Sequence, residues 1–481
     1  MTRRLVHVGI AFLVIYGLLF FRLEMVQIVG AGNLREHPQN TREITLDFDA
    51  PRGVITTADG KTIAQTVAVS GARNRLRQYP YGSLYSHVVG FISAEHGGAG
   101  VERSHNNFLA GNELSVRIQD NRDLFVDQAR TGQLKLSIRH DVQLVTRAAM
   151  AGHLGAAVVL EPTTGSVWGM WSTPNFDPNH LSSHDLQAAT TDFKALDSDA
   201  VRPLTNRVEY HSSEIGSLFT IVTAAAAIES NLHDLSVSST TSFPASQRSP
   251  AITNQDGSAC GGTIKSLMVD ACVTGWATIG QEIGREPMQD ISNRFGLVGG
   301  DPVRTDNALR RDLKPTKLSP SAAHAAVGTA MELTPLQVAH LFATIANNGS
   351  RIQPRLVEQV RAHDGSVIHN FEPNVLNQSI SKETAAKLLG LLSENVKTGT
   401  AQGLALSDVQ VAGMSASRFS GSNHLWMVAL APVTRPEVVV AVLLEGDGSD
   451  DQETGEANIA AITRRITEAV LRLPNSNLRG S

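Results

Sequence analysis

The chain has only two cysteines in 481 residues, few aromatic residues (5%), and no run of lysines and arginines. With a formal net charge of -5, it offers no basic stripe of the kind a phosphate backbone requires, so nucleic acid is not an expected partner. Neither CxxC nor HExxH occurs, and the 16 histidines show no ligand-like spacing, so neither a catalytic metal nor another cofactor is expected. There is no internal repeat and no low-complexity tract. Apolar residues make up 42% and charged residues 18%, a balance that supports a globular core and argues against wholesale disorder. Long hydrophobic runs are absent too, with one exception.

That exception is at the N-terminus. Arg3 and Arg4 precede an uncharged run from Leu5 to Phe21, with His7 as its only strongly polar member. Seventeen residues span roughly 25 Å as a helix, slightly short of a hydrocarbon core of about 30 Å. Leu23, Met25, Val26, Ile28 and Val29 extend it across Arg22 and Glu24. The arginines predict an inside N-terminus and an outside remainder, giving a single-pass cell-membrane protein whose bulk is extracytoplasmic. A cleaved signal peptide, with Gly30, Ala31 and Gly32 near the cleavage point, and a buried core helix are the alternatives. The cysteines, Cys260 and Cys272, stand in a glycine-bearing segment and read, given the anchor, as a disulfide outside the membrane, the alternative being two buried free thiols.

Three regions follow. Residues 1–29 form a cytoplasmic stub and anchor. Residues 30–135 are rich in short strand and turn signals, among them Ala50-Pro51-Arg52-Gly53-Val54-Ile55 before Asp59-Gly60-Lys61, and predict a sheet-rich non-catalytic module. Residues 136–476 hold two strand pairs, Ala156–Leu160 with Val167–Trp171 and Leu425–Ala431 with Val438–Leu444, around helical stretches such as Ile221–Ile228. Strands from both ends of a region enclosing helices from its middle predict an α/β/α sandwich with a mixed or antiparallel sheet.

Ser217 and Thr220 share one helix face, and Ser217 alone is an unremarkable N-cap. In serine acyl-transferases of the penicillin-interacting group, the same turn reads Ser-x-x-Lys, with the lysine helping to strip the serine proton. Other segments follow in order: Pro51-Arg52-Gly53, Gly100-Val101-Glu102, Leu160-Glu161-Pro162-Thr163-Thr164-Gly165, Ser172 to Asn179, Thr334-Pro335-Leu336-Gln337 and Trp426 to Pro432. Together they resemble a class B penicillin-binding protein, of the peptidoglycan D,D-transpeptidase family, most of all its actinobacterial penicillin-binding protein A type. The resemblance covers nearly the whole chain. It implies an α/β (α+β) penicillin-binding/serine β-lactamase-like transpeptidase domain with an antiparallel sheet, preceded by a dimerisation or pedestal-like module. It also implies cell-wall synthesis or division proteins as partners, and peptidoglycan stem peptide or β-lactam as ligands.

The catalytic motifs of that family are degenerate in this chain. The first keeps Ser217 and has Thr220 for lysine. The second, Ser-x-Asn in the family, reads Ala271-Cys272-Val273. The third, Lys-Thr-Gly, reads Met414-Ser415-Ala416. A literal Lys397-Thr398-Gly399 stands about fifteen residues too early to replace it. His211 and Glu214 are the nearest other titratable residues, read as a solvated loop. Groups that act as one catalytic unit can cost on the order of 10^6 in rate when core members are lost. The expectation is a catalytically silent homologue acting as a binding or scaffold protein. The competing reading is an atypical transpeptidase or carboxypeptidase that still uses Ser217.

Overall fold

The computed structural model describes residues 2–25, 48, 50–70, 74–117, 130–232, 234–244, 250–254, 257–299, 303–305, 316–416, 424–446 and 452–473. The first helix, α1 (Thr2–Glu24), carries its arginines at both ends, and its large apolar side chains from Ile10 to Leu23 are 52% to 74% exposed. Among the described residues no helix is long and apolar enough to cross a membrane. The expected continuation through Val26, Ile28 and Val29, and the small residues Gly30 to Gly32, lie outside the described residues.

The N-terminal module is built on short strands, β1 (Ile55–Thr56), β2 (Thr62–Ala68) and β3 (Arg75–Gln78). The short helix α2 (Gly100–Ser104) carries Glu102 into its core. Arg52 Nε donates to Glu102 Oε2 at 2.6 Å, and Arg77 Nε donates to Glu102 Oε1 at 2.6 Å. Arg52 also reaches the Glu102 carbonyl at 2.6 Å and Asn106 Oδ1 at 2.7 Å. A carboxylate with two guanidinium partners satisfies most of its acceptor sites, which is the condition for keeping an ion in a dry interior. Two sequence segments 50 positions apart are thereby fixed to one another. Gly53 follows because a Cβ there would stand 1.7 Å from the Gly132 carbonyl oxygen.

The sheet of this module extends beyond these three strands. The strand β4 (Gln133–Leu136) spans the expected boundary at 135/136 and pairs with β1 in parallel. Its other edge takes up a strand from far downstream, described below.

The second region opens with α3 (His140–Ala149), then β5 (Gly155–Leu160) and β6 (Val167–Thr173). Every residue of β5 is buried, which explains its unbroken apolar run: both faces of the strand are covered. The helices that matter for the site are α4 (Arg207–Tyr210), α5 (Thr220–Glu229), α6 (Ile264–Val269) and α7 (Val273–Ile283). They are followed by α8 (Pro335–Ala346), all of whose residues are buried. Thr334 and Gln337 cap α8 reciprocally, and Pro335 occupies its first turn, where no backbone N–H is missed.

The chain then supplies β7 (Val357–Arg361) and β8 (Val367–Asn370), and β7 pairs antiparallel with β4. The result is one six-stranded sheet in the order β8-β7-β4-β1-β2-β3, built from both regions. After α9 (Lys382–Thr398) come β9 (Ala412–Ala416), β10 (His424–Ala431), β11 (Val438–Glu445) and α10 (Gln452–Arg472). The central sheet runs β9-β10-β11-β5-β6, antiparallel throughout. Residues Val439 to Leu444 are in register with Leu160 to Gly155. Helices α3 and α10 pack together beside the sheet, and α8 packs on β5 and β11. This is the expected sandwich with a wholly antiparallel sheet.

Burial works to raise the pKa of Glu102, and Arg77 and Arg52 overcome it to hold the carboxyl below the ordinary glutamate range. A depressed carboxylate contributes stability above its unfolded value of about 4.3, and that stability is lost as pH falls through the folded value. Thermal unfolding is therefore expected to show the full contribution at pH 7 and a loss below about pH 4. Glu102→Gln should cost about 3–5 kcal/mol at pH 7 and flatten the acid limb. Equal unfolding of variant and wild type at pH 7 would show that the network holds nothing.

Candidate active site

Ser217 lies in a 3-10 turn, Gly216–Phe219, that runs directly into α5. The turn is held from several sides. Gly216 adopts φ +49, and Gly328 packs so close that a Cβ on it would stand 2.4 Å from the Gly216 carbonyl oxygen. Ile215 N–H donates to the Met331 carbonyl at 2.9 Å, and Trp426 Nε1 donates to the Glu214 carbonyl at 2.9 Å. The sheet therefore grips the turn through a tryptophan on β10.

The second motif forms the joint between α6 and α7. Ala271 has φ +48, a left-handed conformation that costs an alanine roughly 1–2 kcal/mol relative to a right-handed one. It ends α6 in the usual C-terminal manner, with Cys272 N–H donating to the Leu267 carbonyl at 2.9 Å. Cys272 is joined to Cys260 by a disulfide, which ties this joint to the neighbouring β-hairpin. The third motif lies on β9, the edge strand of the central sheet, where Met414 pairs with Val428 and Ala416 with Trp426.

Six of the positions marked in the sequence converge on one cavity: Ser217, Thr220, Ala271, Val273, Met414 and Ser415. Ala416 is buried beside them and does not line it. Four further lining residues carry no motif signal: Met268, Trp276, Val327 and Thr400. Trp276 was within reach of sequence reasoning, since it follows Val273 by one helical turn. Thr400 stands just past the literal Lys397-Thr398-Gly399, whose lysine does not line this cavity.

The cavity measures about 20 Å³, room for a single water. None of the described residues lining it is charged. Thr220 is buried, and its hydroxyl donates to the carbonyl of Ser217 at 2.8 Å. That hydroxyl is thus spent on the turn's own backbone. Ser217 Oγ has no hydrogen-bond partner among the described residues. Ser415 Oγ donates to Thr400 Oγ1 at 3.1 Å. The cavity is a pocket of hydroxyls on an apolar floor, and no described residue lining it is a base or a cation.

His211 and Glu214 do not line it. The expected solvated loop is instead engaged with its surroundings. Glu214 pairs with Glu332 in a short two-stranded sheet, and its Oε1 accepts from Ala330 N–H at 3.0 Å. His211 Nε2 lies 3.3 Å from Glu445 Oε1, the oxygen that Arg207 Nε holds at 2.8 Å. Burial lowers the pKa of His211, opposed by Glu445 and assisted by Arg207, His424 and Arg202. No group of His, Cys, Asp and Glu residues among those described is arranged to hold a metal ion.

Compared with known proteins, residues 155–468 match the penicillin binding protein transpeptidase domain, and residues 52–134 match the penicillin binding protein A dimerisation domain. The first match alone covers more than half of the chain. The chain belongs to the penicillin-binding transpeptidase family. It is 30% identical to the peptidoglycan D,D-transpeptidase PbpA of Mycolicibacterium smegmatis, over 98% of this chain and 99% of that protein. It is 29% identical to PbpA of Mycobacterium tuberculosis, over 98% and 99%. In three dimensions it superposes on penicillin-binding protein A of M. tuberculosis, solved as an imipenem acyl-enzyme complex, with a TM-score of 0.81 and 28% identity. That superposition covers 89% of this chain and 100% of the other. Membership of this family supports a role in cell-wall synthesis.

The family's lysine cannot simply be put back at position 220. A cavity of about 20 Å³ has no room for a lysine stem, and overpacking costs about 1–3 kcal/mol before the charge is counted. Thr220→Lys is expected to lower the melting temperature and to leave labelling by a fluorescent penicillin where it was. A lysine accepted with unchanged melting temperature would mean that the cavity opens freely.

Proposed function

We propose that this chain is a non-acylating member of its family, serving cell-wall synthesis or division by binding and not by crosslinking. One observation carries the reading: the cavity around Ser217 joins all three motif positions, and no described residue lining it is an acid, a base or a cation. A serine hydroxyl needs an adjacent base to become a nucleophile, and an apolar floor repels a terminal carboxylate. The M. tuberculosis relative, trapped as acyl-enzymes with imipenem, ceftriaxone and penicillin G, gives the comparison for what a working site does.

The partner we assign is another cell-wall synthesis or division protein, met through the sheet-rich module at residues 52–134. The placement we assign is extracytoplasmic, behind a single-pass anchor formed by α1. Supporting the anchor are the uncharged run Leu5–Phe21, the arginines before it and the exposed apolar surface of the helix. The disulfide suits an oxidising compartment.

Membranes holding the full chain are expected to show no band with a fluorescent penicillin, and intact mass spectrometry no adduct, under conditions that label an active relative. A band that Ser217→Ala abolishes would sink the reading in favour of an atypical transpeptidase or carboxypeptidase. Deleting residues 2–25 should move the chain from the membrane fraction to the soluble one. A truncated chain that still sediments with membranes would overturn the anchor assignment.

A further inference from the structure

A second cavity, of about 440 Å³, lies along the C-terminal end of α9. This volume lies within the usual range for small-molecule sites of roughly 300–1,000 Å³. Its walls are Ser393, Val396 and Lys397 from α9, Gln402 beyond it, and the segment from Ala405 to Val411 that leads into β9. It shares no residue with the cavity around Ser217.

Three features mark it as a built site. Ser393 is 94% buried, at 6% relative exposure, and lines the cavity, yet its Oγ has no hydrogen-bond partner among the described residues. The oxygen is not shut off from solvent, so it is free to bond a polar atom of a ligand in the cavity. Val396 and Val411, both buried, give the lining an apolar part, and Gln402 and Gln410 line it too. The rim holds one charge of each sign, Lys397 and Asp408. Lys397 is only loosely engaged elsewhere, with Glu394 Oε2 at 3.8 Å and both side chains partly exposed.

We propose that this cavity is a second ligand site, taking a small zwitterion such as a free amino acid or a dipeptide. The carboxylate goes to Lys397, the ammonium to Asp408, and a polar atom of the ligand to Ser393 Oγ. The small apolar part of the lining suits a short side chain. The literal Lys397-Thr398-Gly399 thus has its lysine at this site and not at the family's catalytic one.

The site adjoins the motif strand. Asn395 Nδ2 donates to the Gly413 carbonyl at 3.2 Å, and a Cβ on Gly413 would stand 2.4 Å from Leu404 and 3.5 Å from Val396. An occupant pressing on Val396 and Val411 therefore bears on β9, which carries Met414 and Ser415. The inference is independent of whether Ser217 is acylated.

Calorimetry on the full chain in detergent tests it, with alanylalanine as both the L,L and the D,D dipeptide. Binding at millimolar concentration or tighter is expected for at least one. Lys397→Met, Asp408→Asn, N-acetylation and C-terminal amidation should each weaken it by about tenfold. Ser217→Ala should leave it unchanged, and circular dichroism melts confirm that each variant folds. No heat at about 10 mM of either dipeptide would overturn the proposal. So would binding indifferent to both charge variants, or binding lost with Ser217→Ala, which would put the ligand in the other cavity.

Discussion

The structure depends first on the pairing of β11 with β5, six consecutive cross-strand pairs that join residues 439–444 to residues 155–160. Nearly the whole of the second region is looped out between those strands. Closing so long a loop is costly in entropy, and strands buried on both faces supply the apolar burial to offset it. Once they pair, the remaining sheet order follows: β10 hairpins onto β11, β9 onto β10, and β6 onto β5. Trp426 then projects from β10 to hold the Glu214 carbonyl, and the serine turn is fixed against the sheet edge. The three motif positions meet because the sheet brings them there, whatever residues occupy them.

That separation of scaffold from chemistry explains how the cavity keeps its shape. A fold of this kind draws its stability from the sheet, from fully buried α8 and from the alanine-packed α5. None of these needs a lysine at 220 or 414. The residues present instead contribute to packing and local bonding: Thr220 bonds the backbone of its own turn, Met414 fills the edge strand, and Cys272 joins the α6–α7 joint to a hairpin. Each is a satisfied structural residue in its own right, and together they leave space for one water.

Much of this was legible in the sequence, for reasons that differ by element. The strands β5, β6, β10 and β11 are apolar because both their faces are covered, and such runs announce themselves. Arg52 and Glu102 stood out only through family resemblance, and their mutual ion pair was invisible locally. The strand β7 was missed altogether, since its assignment rests on pairing with β4 more than 200 residues earlier and no local pattern records a distant partner. The same holds for the site. Its motif positions were legible by order and spacing, whereas Met268, Val327 and Thr400 line the cavity through three-dimensional packing. His211 looked like a loop residue because nothing in the sequence tells that Glu445 lies beside it.

The six-stranded sheet has a mechanical consequence. Its strands β1 and β4 run parallel, and the chain enters at the start of one and leaves from the end of the other. A pull applied upstream of Pro51 and resisted by the second region would load that ladder lengthwise. Hydrogen bonds stressed in this geometry share the force and must fail together, unlike a hairpin peeled from its open end, where they break in turn. Because β7 clasps the other side of β4, the load passes straight into the body that carries Ser217. The two regions thus share one sheet, and a tug on the leading segment is carried through β4 and β7 into the second region.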